Sequence, residues 1–543
     1  MTIHVHVAEN KTDRAAHSTS TPLTHDLPRA LWLIGCVLLL LAYGLTRLHH
    51  LLVVPLFIDE ALHLTRSQMV LQGHPFEPLL NSKALALYVA SLFNPFVNAP
   101  FIGRIVVALI GFIGLASAMA LARTLHSRAA GLVAGAIWLL CPYLFFYERL
   151  MLVDATLAAT ATFAAWTAVR MIRTGKLSDA LLCGLALALC PFAKATGVIY
   201  GVIPLAAFFV TGRYGWRMRV RQIVITYAVT GLLMAGPVLI IIIQSADIFG
   251  VGRLTSVDGG SLGNRLSHNP GVILTAYRDY FNPVFLLLLS VLSMLGWLNR
   301  PRRGLLPTLL LIVPLAVLTV AATDLYMRYP VIAVPGLIVL GAFGFVDVAG
   351  ITRQLAAAPE RRAGILTRIG RWLPAAVVGI VLGAWALLWF APFAGTVYRD
   401  PLALDAIPTS DQHEYLLDWS AGYGLREAAA DLIRRASDSA QPVIVVGLIG
   451  SCNTVRLYVP PDANVTVLCP DVWDPTGQGM ALGQQQIHDQ IGKSGSALVL
   501  AEDEGPVAMN AIPTPRTLVA SYPRPSGRYT VRLYRVTGVD PQR

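Results

Sequence analysis

The chain has 543 residues, of which 55% are hydrophobic and only 13% are charged, and its mean hydropathy is +0.60. Soluble domains carry about 25% charged residues, so this composition excludes a single soluble globular protein, because too few charged residues exist to cover its surface. The net charge of +11 is better explained by basic loops on one side of a membrane than by nucleic-acid binding.

The chain begins with a polar, turn-rich stretch, residues 1–28, that lacks the apolar core and cleavage site of a signal peptide. We expect it to be a disordered cytoplasmic tail. Apolar runs of about 17–23 residues follow, the length that crosses a bilayer. They predict a polytopic α-helical membrane protein with a transmembrane domain over residues 29–395. The eleven predicted transmembrane helices lie near 31–52, 102–121, 130–146, 154–169, 180–190, 197–210, 223–243, 283–298, 305–322, 331–345 and 374–390.

Lys and Arg cluster in alternate connections between these runs. The clusters are Arg123 and Arg128; Arg170, Arg173 and Lys176; Arg213, Arg217, Arg219 and Arg221; Arg300, Arg302 and Arg303; and Arg353, Arg361, Arg362, Arg368 and Arg371. Positive charge marks the cytoplasmic side, so we expect the N-terminus inside. The first outer loop (residues 53–100), a polar loop of about 38 residues (245–282) and the C-terminal region 396–543 are then extracytoplasmic, in a multi-pass inner or plasma membrane protein.

The C-terminal region has the pattern of a soluble α/β domain. GLREAAADLIRRA predicts an amphipathic helix, PVIVVGLIG, NVTVLCP and SALVLAED predict short strands, and IHDQIGKSG predicts a helix between two of them. RTLVASYPRPSGRYTVRLYRV predicts a closing hairpin. This alternation favours a small mixed or parallel sheet. Cys452 and Cys469 either form a disulfide or remain two buried thiols.

The first outer loop carries an unusual density of ionisable groups between two apolar runs, and groups of this kind indicate a functional site. It contains the adjacent acids Asp59 and Glu60. We predict that both are catalytic residues, with Asp59 as the general base. Helix capping or the helix dipole would also explain acids at this position. His63, His74 and His268 lack the spacing of a metal site and are interpreted as ordinary polar loop residues.

Single basic residues at the outer mouths of the spans form a second candidate group. We predict that they bind a phosphate: Lys83, Arg104, Arg149, Lys194 and Arg328. Tyr147, Glu148, Asp154 and Tyr329 are predicted supporting residues. The alternatives are snorkelling of the cations to the interface, an interhelical ion-pair cluster of Glu148, Arg149 and Asp154, and an interfacial belt for the aromatic residues.

The order of these motifs resembles the GT-C superfamily of membrane glycosyltransferases, and most of all the branch of protein O-mannosyltransferases and lipid A aminoarabinose transferases. The resemblance covers most of residues 30–345. Its residues lie in FIDEALH, in SKALALY with Lys83, in FIGRIVV with Arg104, in the stretch from Tyr147 to Asp154, in FAKATG with Lys194 and in MRYPVIAVP with Arg328. The prolines of a KPPL-like segment are absent after Lys83, and Ala195 and Thr196 displace the glycine of a TKG-like turn.

The resemblance implies an inverting transfer of a hexosyl or pentosyl group from a polyprenyl-phosphate sugar to an extracytoplasmic protein, lipid or glycan. It implies Asp59 as the base and the basic residues as phosphate ligands. A divalent cation, Mg or Mn, held by Asp59 and Glu60, is left open. Two other readings of the residues also stay open. One is a transporter or lipid flippase, which should show internal repeats and charges at mid-membrane, and the other is a non-catalytic envelope scaffold.

Overall fold

The computed structural model describes residues 27–210, 214–244, 261–356, 376–474, 476–503 and 512–538. Almost all of the predicted N-terminal tail, the first part of the predicted 38-residue loop and most of the basic segment before the last span lie outside these residues. The helices up to residue 244 are α1 (Arg29–Leu48), α2 (Ile58–Leu71), α3 (Glu77–Leu80), α4 (Ala84–Ser91), α5 (Ala99–Leu125), α6 (Arg128–Leu139), α7 (Pro142–Tyr147), α8 (Val153–Thr174), α9 (Leu177–Ala193), α10 (Val202–Val210) and α11 (Trp216–Gln244). They are followed by α12 (Leu262–Phe281), α13 (Pro283–Asn299), α14 (Pro301–Ala321), α15 (Val334–Ala356) and α16 (Ala376–Arg399).

Each predicted transmembrane run coincides with a helix, and the chain is a multi-pass membrane protein. Within the described ranges, seven helices are long and apolar enough to cross a membrane, or up to eight if the bent pair α12–α13 is one span. The remaining predicted runs correspond to shorter apolar helices at Arg128–Leu139, Leu177–Ala193 and Ala195–Val210. The predicted fold class, an α-helical membrane domain followed by an α/β domain, is confirmed.

The predicted polar loop before the eighth run contains a helix, α12, that the hydropathy pattern did not indicate. Its start is capped by Ser261, whose side chain accepts a hydrogen bond from the backbone N–H of Asn264. Tyr277, Tyr280 and Phe281 bury one face of it in the protein. Asn282 has a φ of +65° and ends the helix, and α13 leaves at 106°. The amphipathic pattern was hidden by the polar residues on its other face.

The ends of the helices away from the 53–100 loop are joined by the basic turns. The Asp347 carboxylate in α15 lies 2.9 Å from His126 Nε2 and 3.3 Å from Arg300 Nη2. Close helix packing in this region requires glycine, because a β-carbon at Gly344 of α15 would overlap the carbonyl oxygen of Leu292 in α13. The contacts place the turns after α5 and α13 at the same end of the helices, as the charge pattern predicts.

At the other end, the 53–100 loop folds into α2, α3 and α4 and lies against the C-terminal region. The backbone N–H of Ile58 donates to the carbonyl of Ser420 across 3.1 Å, and that of Leu56 donates to Tyr458 Oη across 2.7 Å. Residues between α16 and the C-terminal sheet, such as Tyr415 and Leu416, belong to the same hydrophobic core as the membrane helices. This connecting segment therefore packs as part of the membrane domain.

The C-terminal domain contains a small mixed sheet, one of the two predicted arrangements; the sheet has five strands and helices on both faces. The segment that precedes this domain contains the short helix α17 (Thr409–Gln412). The elements of the domain are β1 (Val443–Gly447), β2 (Val465–Leu468), β3 (Ala497–Glu502), β4 (Arg516–Pro523), β5 (Thr530–Val536), α18 (Leu425–Ser437), α19 (Cys452–Tyr458) and α20 (Gln478–Ser494). The strand order is β2-β1-β3-β5-β4. The pairs β1–β2 and β1–β3 are parallel, and β3–β5 and β4–β5 are antiparallel. Cys452 and Cys469 form a disulfide.

Candidate active site

Arg328 is the centre of a charged cluster that joins distant parts of the chain. It lies just before a short 3-10 turn, Tyr329–Ala333, and only 9% of its side chain is exposed. Its Nη2 donates to Asp59 Oδ2 across 2.8 Å, and its Nη1 donates to Glu414 Oε1 across 3.0 Å. Its Nε lies 3.8 Å from Asp154 Oδ2. One guanidinium thus faces carboxylates from three separate segments.

Lys194 joins the same cluster through Asp154. Lys194 follows α9, and its Nζ donates to Asp154 Oδ1 across 2.7 Å. The same ammonium lies 3.8 Å from the centre of the Tyr329 ring, a cation–π contact that helps to fix its position. Asp154 lies in the first turn of α8, where the helix dipole favours an acid. These contacts place the predicted residues Asp59, Asp154, Lys194, Arg328 and Tyr329 in one site.

Lys83 approaches this cluster from the 53–100 loop. Its Nζ lies 3.1 Å from His63 Nε2, and His63 Nδ1 lies 2.8 Å from the carbonyl oxygen of Met151. The carbonyl oxygen of Ser82 accepts a hydrogen bond from the backbone N–H of Ala195 across 3.2 Å, so the two lysine loops lie side by side. Burial lowers the pKa of Lys83 to about 8, although the nearby Asp59 carboxylate opposes this shift. Burial, helped by Lys83, also holds the pKa of His63 well below its ordinary value, so His63 is neutral.

An apolar cavity of about 290 Å³ lies beside the two lysine loops. Ser82 and Ala84, which flank Lys83, line it, as does Ala195, which follows Lys194. Its walls come mainly from α9 and α11 and include Leu187, Met234, Val238 and Ile241. The charged cluster and the apolar cavity therefore both adjoin the loops that carry Lys83 and Lys194.

Glu60 and Arg104, two further predicted site residues, form hydrogen bonds with each other and with the backbone. Glu60 Oε1 and Oε2 accept from Arg104 Nε and Nη2 at 2.9 and 2.7 Å. Glu60 also accepts from the backbone N–H groups of Phe57 and Met151, and Arg104 donates to three backbone carbonyls of the segment 51–55. Both side chains are fully buried. Successive helical residues point about 100° apart, which explains why Asp59 reaches the site and its neighbour does not.

Arg149 and Glu148 are likewise used inside the protein. Arg149 donates to the carbonyl oxygens of Thr46, Arg47, His49 and His50, and so closes the C-terminal end of α1. Glu148 accepts from Arg47 Nε and from Trp138 Nε1, both at 2.9 Å. The structure therefore uses these two residues in helix packing, but not as the ion-pair cluster of Glu148, Arg149 and Asp154 that was the alternative interpretation, because Glu148 pairs with Arg47 and Arg149 with backbone carbonyls. It brings Asp154, the third member of that motif, into the charged cluster.

The fold matches that of known membrane enzymes. The chain superposes on the crystal structure of ArnT from Cupriavidus metallidurans bound to undecaprenyl phosphate with a TM-score of 0.59 and 15% sequence identity, over 93% of this chain and 98% of that chain. The chain therefore has an ArnT-like GT-C fold. The apo structure of the same ArnT gives a TM-score of 0.58 at 15% identity over 93% and 98% of the two chains. Residues 84–241 match a family model described as dolichyl-phosphate-mannose-protein mannosyltransferase.

A further structural match is the apo oligosaccharyltransferase of Archaeoglobus fulgidus. Its TM-score is 0.49 at 11% identity, over 87% of this chain and 70% of that chain. No curated protein is similar enough in sequence to count as a match.

Sequence reasoning missed several members of this charged site. Glu414 and Tyr415 contact Arg328, and Asp411 Oδ2 accepts from Tyr147 Oη at 2.5 Å and from Tyr280 Oη at 2.6 Å. Burial raises the pKa of Glu414 to about 8 and that of Asp411 to about 6. The positive charge of Arg328 opposes both shifts but does not cancel them. The SDQHE segment, residues 410–414 after the last apolar run, was the available signal. His63 was missed too, although it lies four residues after Asp59 and so on the same face of α2.

The residues present do not fit a divalent cation held by Asp59 and Glu60. Both oxygens of Glu60 face Arg104 and backbone N–H groups, whereas a hard cation needs several free oxygen ligands. Among the residues that the structure describes, no group of three or more His, Cys, Asp or Glu side chains is placed to hold a metal ion. We therefore derive no step through a metal.

Proposed function

We propose that this protein is an inverting glycosyltransferase that moves a hexosyl or pentosyl group from a polyprenyl-phosphate donor to an acceptor outside the cytoplasm. The observation that supports the proposal is the position of Lys83 and Lys194 between the Asp59–Arg328–Asp154 cluster and the apolar cavity. A lipid-linked sugar phosphate needs these three things together, namely cations for the phosphate, an acid at the sugar and an apolar space for the prenyl chain. ArnT, which shares the fold, has been crystallised with undecaprenyl phosphate.

In the proposed reaction, Asp59 is the general base. An acceptor hydroxyl or amine attacks the anomeric carbon, the bond between that carbon and the phosphate oxygen breaks, and the electron pair leaves with polyprenyl phosphate. The proton of the acceptor goes to the Asp59 carboxylate. Asp59 suits this step better than Asp154, because 26% of its side chain is exposed against 4% for Asp154. A single displacement inverts the anomeric configuration.

The cations would stabilise the charge that develops on the leaving phosphate. Lys83 and Lys194 carry positive charge next to residues that line the cavity, and Arg328 carries it in the adjoining carboxylate cluster. Fixed charges in a site of low polarity stabilise such a transition state far more than in water. Arg328 supplies a planar fork that matches two phosphate oxygens, whereas each lysine supplies a point charge. Arg104 and Arg149 are left out of this set because their N–H groups are engaged by protein oxygens.

The acceptor would approach from the side of the C-terminal domain. This domain contacts the 53–100 loop next to Asp59, through Ser420 and Ile58, and Arg456 of α19 reaches Thr65 of α2 across 3.3 Å. We place this side outside the cytoplasm because the basic clusters occupy the other ends of the helices. A protein, a lipid or a glycan that offers a hydroxyl or amine is the proposed acceptor class.

The test is transfer of label by membranes that contain the full chain. Undecaprenyl-phosphate-linked mannose, glucose and arabinose, each tritiated on the sugar, are supplied in turn, and label in non-prenyl products is measured. We expect transfer from one of them by the wild type and loss of at least about 100-fold in Asp59→Asn, which keeps the shape but not the basicity. The exposed Asp462→Asn is the matched control and should transfer normally. Full transfer by Asp59→Asn would eliminate Asp59 as the base, and no transfer by the wild type from any donor would overturn the proposed function for these donors.

A further inference from the structure

A second cavity lies at the ends of the helices opposite to the candidate active site. It has a volume of about 620 Å³ and lies between α1, α5 and α8. The same α5 and α8 carry Arg104 and Asp154 near their first residues, so this cavity lies a whole helix length away from the charged cluster. It is separate from the apolar cavity beside Lys83 and Lys194, and the proposed transfer does not involve it.

One end of this cavity is strongly basic. Arg123 near the end of α5 and Arg170 and Arg173 near the end of α8 line it. The Arg123 guanidinium lies 5.2 Å from the centre of the Trp32 ring, and that of Arg170 lies 5.6 Å from the centre of the Trp166 ring. Arg170 Nε also donates to Asp179 Oδ1 across 2.8 Å. Three arginines thus line this end of the cavity, and two tryptophans, residues typical of the membrane interface, hold the guanidiniums of Arg123 and Arg170 in place.

The other end of the cavity is apolar and points toward the middle of the membrane. Leu40 of α1 and Ala116, Met119 and Ala120 of α5 line it. The small alanines keep α5 from filling the space between α1 and α8. The cavity therefore changes from positively charged to apolar along the direction of the membrane normal, over residues that lie one to two helical turns apart.

We propose that this cavity binds an anionic phospholipid of the leaflet opposite to the candidate active site. The headgroup phosphate would lie among Arg123, Arg170 and Arg173, and an acyl chain would follow the apolar wall. Basic pockets between membrane helices bind acidic headgroups in this way. A bias of Arg toward one side explains basic residues at helix ends, but it does not explain a cavity with an apolar end behind them. A soluble phosphate compound would leave that apolar end exposed to water. The proposal does not depend on the proposed transfer.

The test is lipid retention by the purified full-length protein, measured by native mass spectrometry in detergent. Phosphatidylglycerol and phosphatidylcholine with the same acyl chains are added in equal amounts. We expect the wild type to retain phosphatidylglycerol preferentially, and the double variant Arg123→Gln/Arg173→Gln to lose at least about tenfold of this retention while phosphatidylcholine is unchanged. Arg302→Gln, which removes an exposed arginine at the same end of the helices, is the matched control and should behave like the wild type.

A second variant tests the apolar end of the cavity. It also controls for the loss of positive charge in the double variant, because it keeps all three arginines. Ala120→Phe fills the space behind the arginines and leaves all of them in place, so we expect it to lose phosphatidylglycerol to the same extent. Size-exclusion profiles that match the wild type show that both variants are folded. Equal retention of the two lipids by the wild type, or wild-type retention in both variants, would overturn the proposal. Displacement of the lipid by millimolar glycerol phosphate would also overturn it, because the headgroup alone would then suffice.

Discussion

Arg328 donates a hydrogen bond to Asp59 across 2.8 Å, although the two residues are 269 positions apart in the chain. Glu414 and Asp154 face the same guanidinium. A donor phosphate that binds Arg328 must therefore compete with three carboxylates for its N–H groups. Glu414 eases this competition because its pKa of about 8 leaves it largely protonated at neutral pH. Arg328 would then turn from the acids to the phosphate, which would also free Asp59 to act as a base.

The first prediction concerns the shape of the Arg328 side chain. Arg328→Lys keeps the positive charge but replaces the planar fork by a point charge, so it cannot contact two phosphate oxygens and Glu414 together. We expect kcat/KM for the donor to fall by roughly 100-fold, the usual cost of removing a group that stabilises transition-state charge. Transfer of labelled sugar in membranes measures it, with Arg302→Lys, far from the site, as the control. Unchanged kcat/KM would show that charge alone is required at this position.

The second prediction is a pH dependence of donor binding that comes from Lys83. Its pKa of about 8 lies below the ordinary value of 10.5 because of burial, so its positive charge is lost as the pH rises through 8. We expect KM for the donor to rise by up to about tenfold per pH unit above 8. In Lys83→Arg the guanidinium stays charged at these pH values, so KM should be nearly flat between pH 7 and 9.5. The same slope in both proteins would exclude Lys83 as its source.

Much of the fold could be predicted from hydropathy and charge. The apolar runs locate the membrane helices because a lipid-facing helix must be apolar over about 20 residues. The basic clusters in alternate connections predict which helix ends lie on the same side of the membrane. The helix α12 could not be found in this way, because it is amphipathic, carries Pro270 and lies in a polar segment. Strand and helix patterns gave the C-terminal sheet, while the pairing of Cys452 with Cys469 required coordinates.

The candidate site could be predicted only as a set of residues near one membrane surface. The predicted membrane side of each loop places Asp59, Lys83, Lys194 and Arg328 at one surface, but it places Arg149 there equally well. Which cation meets a carboxylate and which one closes a helix end depends on helix rotation and on how the loops pack, and neither is visible in a one-dimensional pattern. Glu414 was missed for a related reason. The segment after the last span was assigned to the soluble domain, whereas it packs into the same hydrophobic core as the membrane helices.

The third prediction separates the Glu60–Arg104 pair from catalysis. Both side chains are buried and fully hydrogen-bonded, and removal of one partner of such a pair leaves a buried uncompensated charge. We expect Glu60→Gln to lower the free energy of unfolding by about 3–5 kcal/mol, seen as a lower melting temperature in detergent. The partly exposed pair Arg66–Glu77, 3.7 Å apart, is the matched control, and Glu77→Gln should change stability by less than about 1 kcal/mol.

Two outcomes would contradict this assignment of Glu60. One is a Glu60→Gln variant that melts like the wild type, which would show that the pair is not a structural element. The other is a variant that is equally stable but inactive, which would return Glu60 to the chemistry of the site.

The fourth prediction concerns Asp411, whose buried carboxylate accepts from Tyr147 and Tyr280. Burial raises its pKa from 3.8 to about 6, so the folded state holds this proton more tightly than the unfolded state. The stability due to this group is complete below pH 4 and is lost as the pH rises through 6, a difference of about 3 kcal/mol. Asp411→Asn is neutral at every pH, and its amide oxygen can still accept from both tyrosines. We expect it to melt at a higher temperature than the wild type at pH 7.5 and to show a flatter pH profile.

Melting temperatures in detergent between pH 4.5 and 8 measure this difference. The exposed Asp462→Asn is the control, because loss of a solvated carboxylate should leave the profile unchanged. A lower melting temperature of Asp411→Asn at pH 7.5 would contradict the prediction and would mean that the ionised carboxylate is stabilised in place. The distinction bears on the site, because Asp411 lies in the segment that carries Glu414, and its hydrogen bonds to Tyr147 and Tyr280 join that segment to α7 and α12. A neutral group at position 411 would reduce the negative charge near Arg328 and favour a donor phosphate there.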